Sequence, residues 1–97
     1  MPNLEFYEAQ VRMIINEFER AVPVINKLRE RDLKNEHKII GNKVIIPLID
    51  YAAAVLSLAE SDKELSDKDV EQLLLKITEM IRDFIKKKFG ELGIALV

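Results

Sequence analysis

The chain has no cysteine and no tryptophan, one histidine, three glycines and three prolines in 97 residues. Lacking cysteine, it has no disulfides, no thiolate nucleophile and no sulfur-ligated zinc, which fits a reducing compartment. The lone imidazole, His37, cannot build a multi-histidine metal site, and the nearest carboxylates, Asp32 and Glu36, have no ligand spacing to complete one. Gly41, Gly90 and Gly93 are too scattered for a phosphate-cradling loop. The start Met1-Pro2-Asn3-Leu4-Glu5 has neither the basic nor the apolar region of a secretory leader. A dominant charge is missing as well. The formal net charge of −2 gives no global reason to expect a nucleic-acid or anionic-membrane partner.

What remains is 48% apolar and 33% charged, the make-up of helices built from Leu, Ile, Ala, Glu and Lys. The length suits a single helical domain over 1–97. A monomer of this size buries only about two thirds of its unfolded surface. Dense charge of both signs without cysteine or tryptophan would suit a thermophile. The most apolar run, Val44 to Ala59, is broken by Pro47 and Asp50 and is shorter than the roughly 20 residues a bilayer requires. A buried core helix is therefore expected there. The expected setting is the cytoplasm, with no membrane and no cofactor.

The first segment carries Leu4, Val11, Phe18 and Ile25 at seven-residue spacing, with Tyr7, Ile14, Ala21 and Leu28 as a second row. These rows form an a/d seam. Asn3 is placed to cap the first turn. Pro23 interrupts the hydrogen-bond ladder, but the phase continues through it, so one long kinked helix from about Leu4 to Lys34 is expected.

Two β-branched runs then flank Gly41-Asn42, spanning 38–46. The pattern suits a short β-hairpin with a glycine turn. It also suits a helix–helix turn, which a chain this helical favours. A second helix is expected to run to about Glu60, with Pro47 in its first turn. Its stripe is Ile45, Ile49, Ala52, Leu56 and Ala59, widened by Tyr51, Ala54, Val55 and Leu58. Ser61 to Leu65 is a polar linker. Ser66-Asp67-Lys68-Asp69 resembles a capping box with Asp for the usual Glu. A third helix follows, with Val70, Ile77 and Phe84 supported by Leu73, Leu74, Met80 and Ile81. It closes on Lys86, Lys87 and Lys88, as the helix dipole favours, before Gly90 at the cap. The apolar tail, Leu92 to Val97, is expected to dock on the body. The fold class expected is all-α, a three-helix antiparallel bundle.

One chain cannot cover all of this apolar surface. The first seam is about 37 Å long at 1.5 Å per residue, and the second helix has apolar face to spare. The expectation is a homodimer joined through the first or second helices, with Leu4, Tyr7, Val11, Ile14, Phe18, Ile25, Ile49 and Leu56 as candidate contacts.

Chemistry-bearing candidates are few. Asp50, inside an apolar run, reads as a dipole-stabilised acid on a polar strip with Ser57. Asp62, Asp67 and Asp69 lack the alternation and the terminal Glu of a calcium loop. Arg29, Arg31 and Lys34 form one basic cluster and Lys86, Lys87 and Lys88 another. An antiparallel bundle would bring both to one end, able to hold phosphates, although a solvated helix end is the simpler account. Arg31 and His37 have five residues between them. That spacing resembles the Arg-then-His motif of HEPN-type ribonucleases, and the resemblance implies a helical dimer with the pair at a shared cleft. In that family the motif lies nearer the end of a longer chain, and an exposed loop histidine is the simpler reading of His37. The function expected is a non-enzymatic helical module for protein–protein interaction, a dimeric subunit, adaptor or regulator with a second copy of itself and another protein as the partners considered. Association with nucleic acid through the basic helix ends is the alternative, and a HEPN-like ribonuclease acting through Arg31 and His37, as the resemblance implies, is a third and lower-ranked reading.

Overall fold

The computed structural model describes residues 3–90, and every described element is helical. Helix α1 is Leu4–Arg31. Helix α2 runs without a break over Leu33–Glu60. Helix α3 is Asp67–Phe89. The fold is an all-α helical bundle. The expected docking of Leu92 to Val97 lies outside the described residues.

The expected N-terminal caps at Asn3 and Ser66 are present. The Asn3 side chain accepts from the Phe6 amide at 3.0 Å. Ser66 accepts from the Asp69 amide at 3.1 Å while the Asp69 carboxylate accepts from the Ser66 amide at 2.9 Å, so both otherwise orphaned donors are satisfied. Gly90 closes α3 at φ 70° and ψ −151°. This is not the left-handed helical cap expected but a region open essentially to glycine alone.

Helix α1 passes through Pro23 and stops at Arg31, three residues before the expected end. Its buried residues are Tyr7, Val11, Ile15 and Ile25, while Leu28 is 41% exposed. A straight helix turns 3.6 residues per cycle and drifts about 20° per heptad from a strict seven-residue seam. Over three heptads that drift carries Leu28 off the core face, and it brings in Ile15, which belongs to neither row.

The largest departure from the sequence reading is at 38–46, where there is neither a hairpin nor a turn. Leu33–Asn35 form a 3₁₀ turn, Glu36–Ile40 an α-helix, Gly41–Ile45 a π turn and Ile46–Glu60 an α-helix, all in one rod. The π turn has a local cause in Pro47. A proline there cannot donate to the Lys43 carbonyl, and its ring would crowd that carbonyl. Widening the preceding turn, with the Ile46 amide donating to the Gly41 carbonyl, relieves the conflict. Gly41 sits at φ −58°, an ordinary helical value. The β-branched residues expected to pair across strands instead bury Ile40 and Val44 in the core.

The buried stripe of α2 is Ile40, Val44, Leu48, Ala52, Val55 and Ala59. Against it lie the α1 residues and, from α3, Leu73, Ile77, Ile81, Phe84, Ile85 and Phe89. The unbroken length also revises the membrane reading. At 28 residues, with mean hydropathy 1.6 in its most apolar window, α2 is long and apolar enough to cross a bilayer. A core helix passes the same test; 28% of that window is buried, along the stripe packed by α1 and α3.

A β-carbon added at Gly41 meets no atom within 4 Å. Gly41→Ala should therefore stabilise the protein by about 0.5–1 kcal/mol, by removing glycine's conformational entropy from the unfolded chain. Chemical denaturation measures this, and a loss of stability would put a turn back at Gly41.

Candidate functional site

Two end contacts decide which charges come together. At one end the Tyr7 hydroxyl donates to an Asp62 carboxylate oxygen at 2.8 Å, tying the start of α1 to the end of α2. At the other, Arg29 donates to Glu36 through Nη2 at 2.7 Å and Nε at 3.2 Å, and to Asn26 at 2.7 Å. Its guanidinium also lies over the Phe89 ring, 5.7 Å from the centroid, joining the C-terminal ends of α1 and α3. Phe89 in turn meets Phe84 edge to face at 6.2 Å.

The two expected basic clusters are thereby brought to one end. Arg31, Lys34, Lys86 and Lys87 are exposed and Lys88 is half-buried. Arg29 is not a free phosphate ligand, because its donors are engaged by Glu36 and Asn26. Lys27, Arg29, Arg31, Lys34, Lys38, Lys43, Arg82 and Lys86 to Lys88 stand at this end against Glu30, Asp32, Glu36 and Asp83. The opposite end, made by 3–12 and 57–71, carries Glu5, Glu8, Glu60, Asp62, Glu64, Asp67, Asp69 and Glu71 against Arg12, Lys63 and Lys68. A nearly neutral chain is thus strongly polarised along a body measuring 48 × 24 × 18 Å. Net charge alone hides this, since the two ends cancel.

Of the candidate self-association residues, Tyr7, Val11 and Ile25 are buried in the chain's own core. Leu4, Ile14, Phe18 and Leu56 are half-buried against that core. Ile49 alone of the set stays largely open, at 44%. The free apolar surface lies elsewhere. Between α2 and α3 runs a groove of about 200 Å³ lined by Ile49, Ala52, Ala53 and Leu56 on one wall and Leu74, Ile77, Thr78 and Ile81 on the other. Leu74 is 48% exposed, and Leu75, just outside the groove, is 66% exposed. A second groove, between α1 and α2, is bordered by Phe6, Tyr7, Tyr51 and Leu58.

His37 and Arg31 are both exposed, on the two sides of the short connection between α1 and α2. Asp50 is exposed on α2. Asp62 accepts from Tyr7 and from the Glu64 amide, and Asp69 serves the cap. Among the described residues, no three potential metal-ligating side chains converge. The Arg29 and Tyr7 contacts were not expected from the sequence, because each joins residues through the tertiary fold. Only the i,i+7 spacing of Arg29 and Glu36 across a helix break offers a faint local signal.

The Tyr7 phenol is pushed above its ordinary value, first by burial and then by the Asp62 carboxylate, with Glu64 adding to it. A phenol whose folded value is raised contributes stability that is complete below its unfolded pKa of about 10 and is lost as pH climbs through the raised value. Thermal melts should therefore show a drop above pH 10 that Tyr7→Phe lacks. The same alkaline loss in both proteins would remove this role from Tyr7. Comparison of the chain with protein-family models, curated proteins and solved structures gives no match.

Proposed function

We propose that this chain is a non-enzymatic helical interaction module that associates first with a second copy of itself and serves in that form as a subunit, adaptor or regulator. The three helices are read as an antiparallel bundle. The Tyr7–Asp62 and Arg29–Phe89 contacts support that reading, since they pair the helix ends an up-down-up arrangement would pair.

One observation carries the proposal. A groove of about 200 Å³ between α2 and α3 is lined by apolar residues and Thr78, and an exposed apolar concavity of this kind marks an interaction surface. Ile46 and Ile49 on α2 and Leu74 and Leu75 on α3 stand 44–66% exposed. Phe6, Met13, Val24, Leu28, Leu33 and Leu58 are exposed elsewhere on the chain. The charged outer faces of α1 and α3 support an aqueous, cytoplasmic setting for such a module.

A second reading is favoured by the meeting of Arg31, Lys34, Lys87 and Lys88 at one end: salt-sensitive contact with nucleic-acid phosphates. It ranks lower because Glu30, Asp32, Glu36 and Asp83 share that end and Arg29 is already paired.

Sedimentation equilibrium should return a mass about twice 11.2 kDa at micromolar concentration. A single-chain mass across the whole concentration range rejects self-association. RNA and DNA fragments at physiological salt should show no electrophoretic shift. A shift that Lys87→Ala with Lys88→Ala abolishes would transfer the function to nucleic acid.

A further inference from the structure

One flank of α3 has a pattern that a single chain does not use. Asp67, Lys68, Glu71, Leu74, Leu75, Thr78, Arg82 and Lys86 fall within about a third of the helix circumference at 100° per residue, an arc that also holds the core residues Ile85 and Phe89. From one end to the other, its side chains outside the core run from mainly acidic, with Lys68 between Asp67 and Glu71, through apolar to basic. Asp67, Glu71, Arg82 and Lys86 form no ion pair within the chain among the described residues, where the pairs present are Arg20–Glu17 and Arg29–Glu36. The helix dipole favours acids at the start and bases at the end, but each end also sets like charges four residues apart, which costs an isolated helix stability.

The flank is complementary to its own reverse. When α3 is laid against an antiparallel copy with a two-fold axis between residues 76 and 77, Asp67 of one chain faces Lys86 of the other and Glu71 faces Arg82. Both pairs occur twice by symmetry, as an isologous contact requires. The axis falls within two residues of the middle of Asp67–Phe89, so the two helices overlap almost completely. Around the axis lie the apolar residues. Leu75 stands clear of the groove at 66% exposure. Leu74 and Thr78 form the near wall of the groove that Ile49, Ala53 and Leu56 close on the far side. The Thr78 hydroxyl donates back to the Leu74 carbonyl at 2.8 Å, so its methyl group is what it offers a partner.

We infer that the occupant of this surface is a second copy of the chain, docked antiparallel through α3, with each Leu75 entering the partner's α2–α3 groove and the Asp67–Lys86 and Glu71–Arg82 pairs fixing the register. This rests on the self-association proposed above and adds the face and the direction. Antiparallel docking also sets the acidic end of each body beside the basic end of the other, so the polarity of the monomer is neutralised in the dimer. Head-to-tail stacking would use the same charges but leave the apolar flank in water.

Charge exchange tests the register. Glu71→Arg alone and Arg82→Glu alone each place like charges opposite one another at two symmetric positions, and each should weaken dimerisation about tenfold. An equimolar mixture of the two variants restores both opposite-charge contacts in a heterodimer. That mixture should associate with close to wild-type affinity, as should the Glu71→Arg, Arg82→Glu double variant, and both should weaken as salt is raised. A fold defect in either variant would not be repaired by mixing, so recovery in the mixture reports the contact itself. If the wild-type chain is monomeric, both this inference and the proposed function fail. If it is dimeric but the single variants are unaffected, or the mixture shows no recovery, only the antiparallel α3 register is overturned.

Discussion

The fold depends on one apolar stripe along α2. Ile40, Val44, Leu48, Ala52, Val55 and Ala59 are 0–6% exposed, and both other helices pack on them. Two of the six are alanines near the C-terminal half of the stripe, where small side chains let the neighbouring helices approach closely. Helices α1 and α3 are ordinary amphipathic helices with charged outer faces, and each needs this central rod to hide its apolar side. Removing any large member of the stripe would open a cavity shared by three elements, which is why large-to-small changes in such positions cost several kcal/mol.

What the sequence revealed follows from how strongly each segment is patterned. Helix α3 alternates charge and hydrophobe clearly, and its start, capping box and basic end were all legible. Helix α1 is legible in extent, but a strict heptad puts Leu28 inward and leaves Ile15 out, the reverse of their burial. Helix α2 was the least legible, for a physical reason. It is apolar around most of its circumference, so several stripes fit equally well, and the sequence pattern favours one through Ile45 and Ile49 while the buried one runs through Val44 and Leu48. The β-branched residues around Gly41 suggested strands because local propensity favours them there. Burial of Ile40 and Val44 between helices overrode that preference.

The candidate site was legible in part for the same reason. The helical stripes place Ile49 on an apolar face, and it is 44% exposed. The α1 residues expected beside it as contacts are instead taken up, wholly or in part, by the chain's own packing. The polarity of the two ends was hidden by a net charge near zero, and it emerges only once Tyr7 meets Asp62 and Arg29 meets Phe89. The dipoles of α1 and α3 reinforce that polarity, since basic residues gather at the C-terminal turns of both.

The π turn at Gly41–Ile45 has a geometric result beyond accommodating Pro47. Residues four apart advance by slightly more than one α-helical turn, so a run such as Ile40, Val44, Leu48 and Ala52 would precess around a regular helix by about 40° at each step. The wider turn takes up an extra residue and cancels most of that precession over its length. It works as a phase shifter, keeping the first third of the rod aligned with the remainder, so that α1 and α3 can grip one continuous ridge from end to end.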